Sequence, residues 1–406
     1  LNKRKIINDP VHGFIQINRE LIFDVIEHPY FQRLRRIRQL GLSEFIYPGA
    51  VHTRYHHALG ATHLMGTALN SLRNKGVEIS DHEYEATQVA ILLHDIGHGP
   101  MSHALEFSIL QDVHHEELSH LFMLELNKTF NNALSTAIQI FKDEYPRRFF
   151  HQLVSSQLDV DRLDYLQRDS FFTGVQEGTI GSERIIKMLN IKDDQLVVEE
   201  KGIYSIESFL TARRLMYWQV YLHKTNLAAE QMLIQAIKRA KFLLQSGEKI
   251  YIGPHLGLLL TQNTSLQDFH QNPDYLKAFA NLDDYDIWNV IKHWALESDI
   301  VLATISEGLL ARKLFKIILS TERQPQTEIQ GLKQKIKNHL KIDDKLVKYL
   351  VVNEIASNEA YLEKGEKINI LTKKGEVLDI AQASDLPNIK ALRKLVRKYY
   401  LCWLRV

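Results

Sequence analysis

The residues of this chain that could do chemistry gather in a few short segments. His94-Asp95 closes the apolar run Val89-Ala90-Ile91-Leu92-Leu93 and is followed by His98, His103, Glu106, His115 and Glu116. A carboxylate at the end of a buried run is costly unless it is paired or bound to a cation. His57 lies in register with Ala61, Leu64, Ala68 and Leu72, so it faces an interior as well. Imidazole nitrogen with carboxylate oxygen suits Mn, Fe, Zn, Co or Ni and admits Mg. Such a divalent metal ion, with open coordination positions, activates water and polarises a phosphoryl oxygen. One His-Asp pair alone arises by chance in a chain with 19 histidines. The density carries the argument: a solvated face would not set so many imidazoles beside a buried run and a Gly97-His98-Gly99-Pro100 turn.

Helical periodicity dominates the elements that must position these groups. Asp9-Pro10-Val11-His12-Gly13 reads as a turn before an extended piece, Phe14 to Ile17. Leu21 to Leu40 predicts one or two helices broken near Pro29. His57 to Lys75 predicts a helix stopped at Gly76, and Ser80 with Glu83 forms a capping box for the helix that ends at the histidine-rich turn. A further helix holds Leu158 to Arg168, with Asp161, Tyr165 and Arg168 on one face. Leu196 to Ile203 reads as a hairpin turning at Lys201-Gly202, and Ser205 to Leu244 as a long helical region. Val351-Val352, Lys367 to Leu371 and Val377 to Ile380 read as strands, with a turn at Lys374-Gly375. A soft boundary falls at Thr321 to Gln326, around Pro325. The expectation is a mainly α protein, with a helical core over 1–322 and a small α+β C-terminal region over 323–406.

The 406 residues are 45% hydrophobic and 24% charged, which suits one large domain with an appendage, or two domains. No stretch approaches the roughly 20 apolar residues of a membrane span. The single cysteine, Cys402, rules out an internal disulfide framework and a Cys-rich zinc site, and a cytoplasmic location is expected. A net charge of +1 gives no argument for a membrane or nucleic-acid partner, and leaves room for a local basic pocket. Single-strand binding needs a basic groove with stacking aromatics. No such groove is legible, and Lys373-Lys374 and Arg393-Lys394 read as solvated faces.

Arg54-Tyr55-His56-His57-Ala58-Leu59-Gly60, then Leu93 through His103, then Asp159-Val160-Asp161-Arg162-Leu163-Asp164-Tyr165 resemble the ordered motifs of HD-domain phosphohydrolases. The match is closer to the deoxynucleoside-triphosphate (dNTP) triphosphohydrolase branch, which includes bacterial dGTPases and the animal SAM-and-HD-domain dNTPases. It runs from about Lys5 through Lys224, takes in Asn8 to Gly13 and Phe31 to Gly41, and does not include the SAM domain.

The resemblance implies an HD helical core whose metal is held by His57, His94, Asp95 and Asp161. It gives Arg54, His98 and His115 phosphate contacts, and His103 with Glu106 an acid/base role. Arg162 would contact phosphate, Tyr165 and Asp169 the sugar, and Gln39, Leu40 and Tyr221 would flank the deoxyribose. The implied reaction is dNTP plus water to deoxynucleoside plus triphosphate. His103 would protonate the departing 5′-oxygen, and Lys224 would join the charge-stabilising groups. A guanine-nucleotide activator is implied at Glu27, Gln32 and Arg35, with Lys5 and Asn8 nearby, in a homo-oligomer, dimer or tetramer. Arg162 stands where the animal enzymes have lysine, Tyr217 where they have histidine and Leu222 where they have glutamine, so base preference does not transfer. Two other readings stay open. One is a different HD nucleotidase or a signalling-nucleotide phosphodiesterase, with His98, His103 and His115 as further ligands. The other is a non-catalytic nucleotide sensor or nucleic-acid scaffold, against which the intact ligand set argues.

Overall fold

The computed structural model describes residues 4–358, 367–386, 389 and 396–406; the side chains of His103, Phe107, Ser357, Asn358 and Val396 lie outside that description, as does the Arg393-Lys394 pair. The chain opens with an antiparallel hairpin of β1 (Lys5–Asp9) and β2 (Gly13–Ile17). Asp9 makes the turn by accepting the backbone N–H groups of Val11 and His12, each at 2.9 Å, and Gly13 supplies the positive φ of +73° that closes it. Helices α1 (Glu20–Glu27) and α2 (Pro29–Gln32) part at His28, whose backbone is extended ahead of Pro29. A 3-10 turn, Arg33–Arg36, follows.

Three helices form the frame of the site. The first is α3 (Arg54–Asn74) and the second α4 (Asp81–Leu93). Ser80 and Glu83 cap α4 reciprocally, at 2.8 and 3.2 Å, as the sequence predicts. Then come α5 (Glu106–Ile109), α6 (His115–Thr129), α7 (Ser135–Phe141) and α8 (Phe149–Val154). The third frame helix, α9 (Val160–Thr173), is capped by Asp159 and ends at Gly174 in the left-handed region. Both α4 and α9 pack on α3, with Ala58, Ala61, Leu64, Met65 and Ala68 of α3 buried in the same core as Val89 to Leu93. Gly60 marks the closest approach, because a Cβ there would strike the side chains of Asp164 and Arg168.

Next, α10 (Ser182–Met188) leads into a hairpin of β3 (Leu189–Lys192) and β4 (Gln195–Glu199). This corrects the hairpin expected at Lys201-Gly202. The turn is made by Asp193 and Asp194, both at positive φ, which short polar side chains tolerate. Glu200–Gly202 instead forms a 3-10 turn running straight into α11 (Ile203–Met216). A π turn, Tyr217–Tyr221, separates α11 from α12 (Lys224–Gln245). A helical layer completes the core: α13 (Pro254–Leu260), α14 (Leu266–Gln271), α15 (Pro273–Ala280), α16 (Asp284–Trp294) and α17 (Ile300–Leu310).

Beyond it lie β5 (Lys316–Ser320), α18 (Gln326–Leu340), β6 (Val351–Asn358), β7 (Asn369–Leu371), β8 (Val377–Asp379) and β9 (Val396–Trp403). The later strands join earlier ones. β7 pairs parallel with β4 in the order β3-β4-β7-β8, and β9 lies between β5 and β6. The fold is thus mainly α with small sheets, and no helix among the described residues is long and apolar enough to cross a membrane.

Gly97 fixes α6 against the end of α4. A Cβ there would strike the backbone of His115 and Ser119, while Gly97 N donates to Ser119 Oγ at 2.9 Å and Ser119 Oγ donates to His94 O at 2.7 Å. Substituting Gly97→Ala is expected to cost about 1–3 kcal/mol through overpacking. The check is a lower urea midpoint at unchanged m value.

Candidate active site

The first turn of α3 supplies Arg54 and His57, the end of α4 supplies His94 and Asp95, and the first turn of α9 supplies Asp161. His57 Nδ1 lies 2.8 Å from Asp164 Oδ2, and His94 Nδ1 lies 2.6 Å from Ile91 O. Carboxylate and carbonyl oxygens only accept, so each Nδ1 carries the donated proton and each Nε2 is free to act as a ligand. Both Nε2 atoms are buried and have no hydrogen-bond partner among the described residues. What faces them is more acceptor: Asp161 Oδ1 is 3.0 Å from His57 Nε2 and 3.4 Å from that of His94. Asp95 adds Oδ1 at 3.4 Å from His94 Nε2 and Oδ2 at 3.7 Å from His57 Nε2. Ligand atoms of His57, His94 and Asp161 fall within 4.8 Å of one another. A divalent cation is the group that satisfies this convergence, so the residues fit the metal that the sequence implies.

Without a cation a proton takes its place. Burial pushes the His57 imidazole down, but Asp161 and Asp164 outweigh it and raise its pKa to about 10. Burial likewise pushes Asp161 up, and the histidines outweigh it to hold the carboxyl below its usual range.

Asp95 is braced from the other side. Arg54 Nη1 pairs with its carboxylate, Arg54 Nε donates to Ser102 Oγ at 3.0 Å, and His98 Nε2 lies 3.4 Å from Asp95 Oδ1. His98 is held well below its ordinary pKa, by burial first and then by Arg54, so it is a neutral ring at pH 7. It stacks on His115 with centroids 3.8 Å apart. The turn carrying His98 is pinned by buried Arg33, which donates to Ile96 O at 3.0 Å, to Leu282 O at 3.3 Å and to His98 O. Glu106 is expected from the resemblance to orient His103. The structure sets Glu106 Oε1 2.7 Å from His115 Nδ1 and 2.9 Å from the His115 backbone N. The His103 side chain lies outside the described residues.

A cavity of about 530 Å³ runs from this cluster past Arg162 and Tyr165 to Asp169, Tyr221, Asn226 and Glu230, with Gln39 and Leu40 along its wall. Tyr221 OH donates to Asp169 Oδ2 at 2.8 Å, and His52 Nε2 lies 2.7 Å from Asp169 Oδ1. The rings of Tyr165 and Tyr217 sit 6.2 and 5.2 Å from that of Tyr221. Arg162 is tied by Nη1 to its own helix cap, Asp159. Lys224 lines a separate cavity of about 280 Å³ with Arg312, Lys316 and Arg405. The residues read as an activator site form a surface patch. Lys5 Nζ pairs with Glu27 at 3.0 Å, Arg35 Nε donates to Gln32 Oε1 at 2.8 Å, and the Arg35 guanidinium lies 3.6 Å over the Tyr55 ring. Asn8 stands on β1, in register with Phe14.

Asp164 and His52 escaped the sequence reading. Asp164 stands in the quoted Asp-Arg-Leu-Asp segment, yet its partner His57 is 107 residues away, a pairing no local spacing reveals.

The HD associated region family matches residues 180–247, from α10 through α12. The chain is 31% identical to the uncharacterized protein YwfO of Bacillus subtilis, over 98% of this chain and 92% of that protein. It is also 31% identical to the deoxynucleoside triphosphate triphosphohydrolase SAMHD1 homolog of Dictyostelium discoideum, over 61% of this chain and 51% of that protein. The crystal structure of a phosphohydrolase from Bacteroides thetaiotaomicron matches with a TM-score of 0.95 and 54% identity, over 99% of this chain and 100% of that one. The chain therefore belongs to the HD-domain phosphohydrolases, a metal-dependent class of hydrolases, and resembles their dNTP triphosphohydrolase branch.

The site sets a pH dependence. The folded pKa of His57, about 10, lies above its ordinary 6.5, so its protonation stabilises the metal-free protein fully below about 6.5. That contribution is lost as pH rises through about 10. Thermal unfolding in chelator should show the midpoint falling over this window, and metal added at pH 8 should release protons into weak buffer. A flat midpoint with no proton release would contradict the assignment.

Proposed function

We propose that the protein hydrolyses dNTPs to deoxynucleoside and triphosphate, using a metal held by His57, His94, Asp95 and Asp161. The observation that carries this is the continuous cavity joining that cluster to the Tyr165–Tyr221–Asp169 end. Its volume of about 530 Å³ suits a small-molecule ligand. When bound, the metal supplies Lewis acidity and an activated water at the α-phosphorus. Arg54, His98, His115 and Arg162 line the same cavity and would stabilise the developing charge. Glu106 fixes the His115 ring through Nδ1, and His115 Nε2 lies 3.5 Å from Glu116 Oε1. The family resemblance gives His103 the role of protonating the leaving 5′-oxygen. Tyr221, tied by its hydroxyl to Asp169, lines the cavity and would act as a steric filter against a 2′-hydroxyl.

The test is a panel of dNTPs with several divalent metals, read by chromatography for triphosphate and nucleoside. Asp161→Ala should lower the rate about a hundredfold or more, since it removes several kcal/mol of charge stabilisation. Full activity of that variant would overturn the ligand assignment. A panel with no triphosphate release would overturn the reaction.

A second reading is favoured by one observation: ligand atoms of Asp95, His98 and His115 also lie within 4.8 Å of one another. Two adjacent metals would suit a signalling-nucleotide phosphodiesterase, and monophosphate or linear dinucleotide products would identify it.

The patch of Lys5, Glu27, Gln32 and Arg35 supports a guanine-nucleotide activator, because a carboxylate, an amide and a guanidinium together can read guanine edges. Adding dGTP should raise both the rate on another dNTP and the molecular mass by light scattering, through assembly of a homo-oligomer. Arg35→Ala should abolish both responses while sparing basal hydrolysis.

A further inference from the structure

The segment Asp9-Pro10-Val11-His12-Gly13 stands apart from the cavity, yet it ends directly behind a metal-facing histidine. His12 Nε2 lies 2.6 Å from Asp164 Oδ1, and Asp164 Oδ2 lies 2.8 Å from His57 Nδ1. Arg168 spans the gap between two carboxylates. Its Nε and Nη2 donate to Asp164 at 2.9 and 3.0 Å, while Nη1 and Nη2 donate to Asp9 at 2.8 and 3.3 Å. The side chains of His57, Asp164 and Arg168 are 0% exposed, those of Asp9 and His12 only 4% and 5%. Asp9 also builds the turn that presents His12, through the N–H groups of Val11 and His12. Gly60 leaves the space in α3 that Asp164 and Arg168 occupy.

We propose that the β1–β2 turn is a positioning element of the metal site, in which Asp9 and His12 hold Asp164 so that Asp164 fixes the tautomer and ring orientation of His57. The inference rests on the reading of His57 as a ligand. Its physical basis is that a carboxylate on the far nitrogen of a ligating imidazole sets which nitrogen is metallated and makes it a stronger donor. One Asp164 carboxylate accepts from His57, His12 and Arg168 at once, so its place is over-determined from three elements: α3, the hairpin turn and α9 itself. Losing His12 removes the constraint that comes from outside the helical frame. Asp164 then gains freedom to follow Arg168, and His57 to rotate about its side chain.

The test uses the full chain loaded with Mn²⁺ or Co²⁺. Removing an outer-shell partner of a ligating histidine typically weakens metal affinity about 10–100-fold. His12→Ala and Asp9→Asn should therefore weaken Mn²⁺ binding by that factor, and the visible spectrum of the Co²⁺ form should shift. His12→Gln, which returns an amide donor near the Nε2 position, should recover most of the affinity and the parental spectrum. Phe14→Thr, on the exposed face of the same hairpin, should change neither. Affinities of His12→Ala and Asp9→Asn within twofold of the parent would overturn the proposal, as would His12→Gln behaving like His12→Ala. His57→Ala separates the two levels: if it leaves Mn²⁺ affinity intact, the ligand reading fails; if it abolishes binding while His12→Ala does not, only the positioning role fails.

Discussion

Where the first turn of α3 meets the end of α4 and the start of α9, two imidazole nitrogens and two carboxylates face one another, and neither Nε2 has a hydrogen-bond partner among the described residues. His57 is stripped of water and the others largely so, and their mutual repulsion is relieved by positive charge. A metal supplies that charge in full, and a proton on His57 supplies part of it. The remaining electrostatics of the site answer this concentration of acceptors. Arg54 neutralises Asp95 from the cavity side, and Arg168 neutralises Asp164 from behind. Burial and the nearby Arg54 keep His98 neutral.

The frame that holds these charges relies on close backbone approaches. Gly60 admits Asp164 and Arg168 against α3, and Gly97 admits α6 against the end of α4. Helix α6 then delivers His115 beside His98, where the two rings stack. The glycines of the histidine-rich segment are thus packing positions, and Arg33 ties loop carbonyls that regular structure leaves unpaired.

Much of this was legible in the sequence because it is local. The register of His57 with the apolar stripe, the Ser80–Glu83 cap and the break at Pro29 each depend on residues within one or two turns. The α+β tail was legible as strands, since alternation and the Lys374-Gly375 turn are local too. What stayed hidden depends on distance along the chain. The service of Asp164 to His57, the reach of His12 from the hairpin, and the support of Asp169 by His52 join segments over a hundred residues apart. The misplaced hairpin had another cause. Lys201-Gly202 carries a turn signal, but Asp193 and Asp194 made the turn first, and the Gly202 signal marks a helix entrance instead.

The parallel pairing of β4 with β7 has a consequence for how the chain is made. Val198 and Glu199 find their partners only at Ile370 and Leu371. During synthesis the helical frame emerges complete while β4 still presents an unpaired edge, the kind of row that recruits foreign strands. The sheet closes late, by a contact of long sequence separation, and such contacts form slowly. A nascent chain stalled before β7 would therefore hold an assembled cluster of histidine and aspartate side chains beside an adhesive strand, and its hazard to the cell would be aggregation.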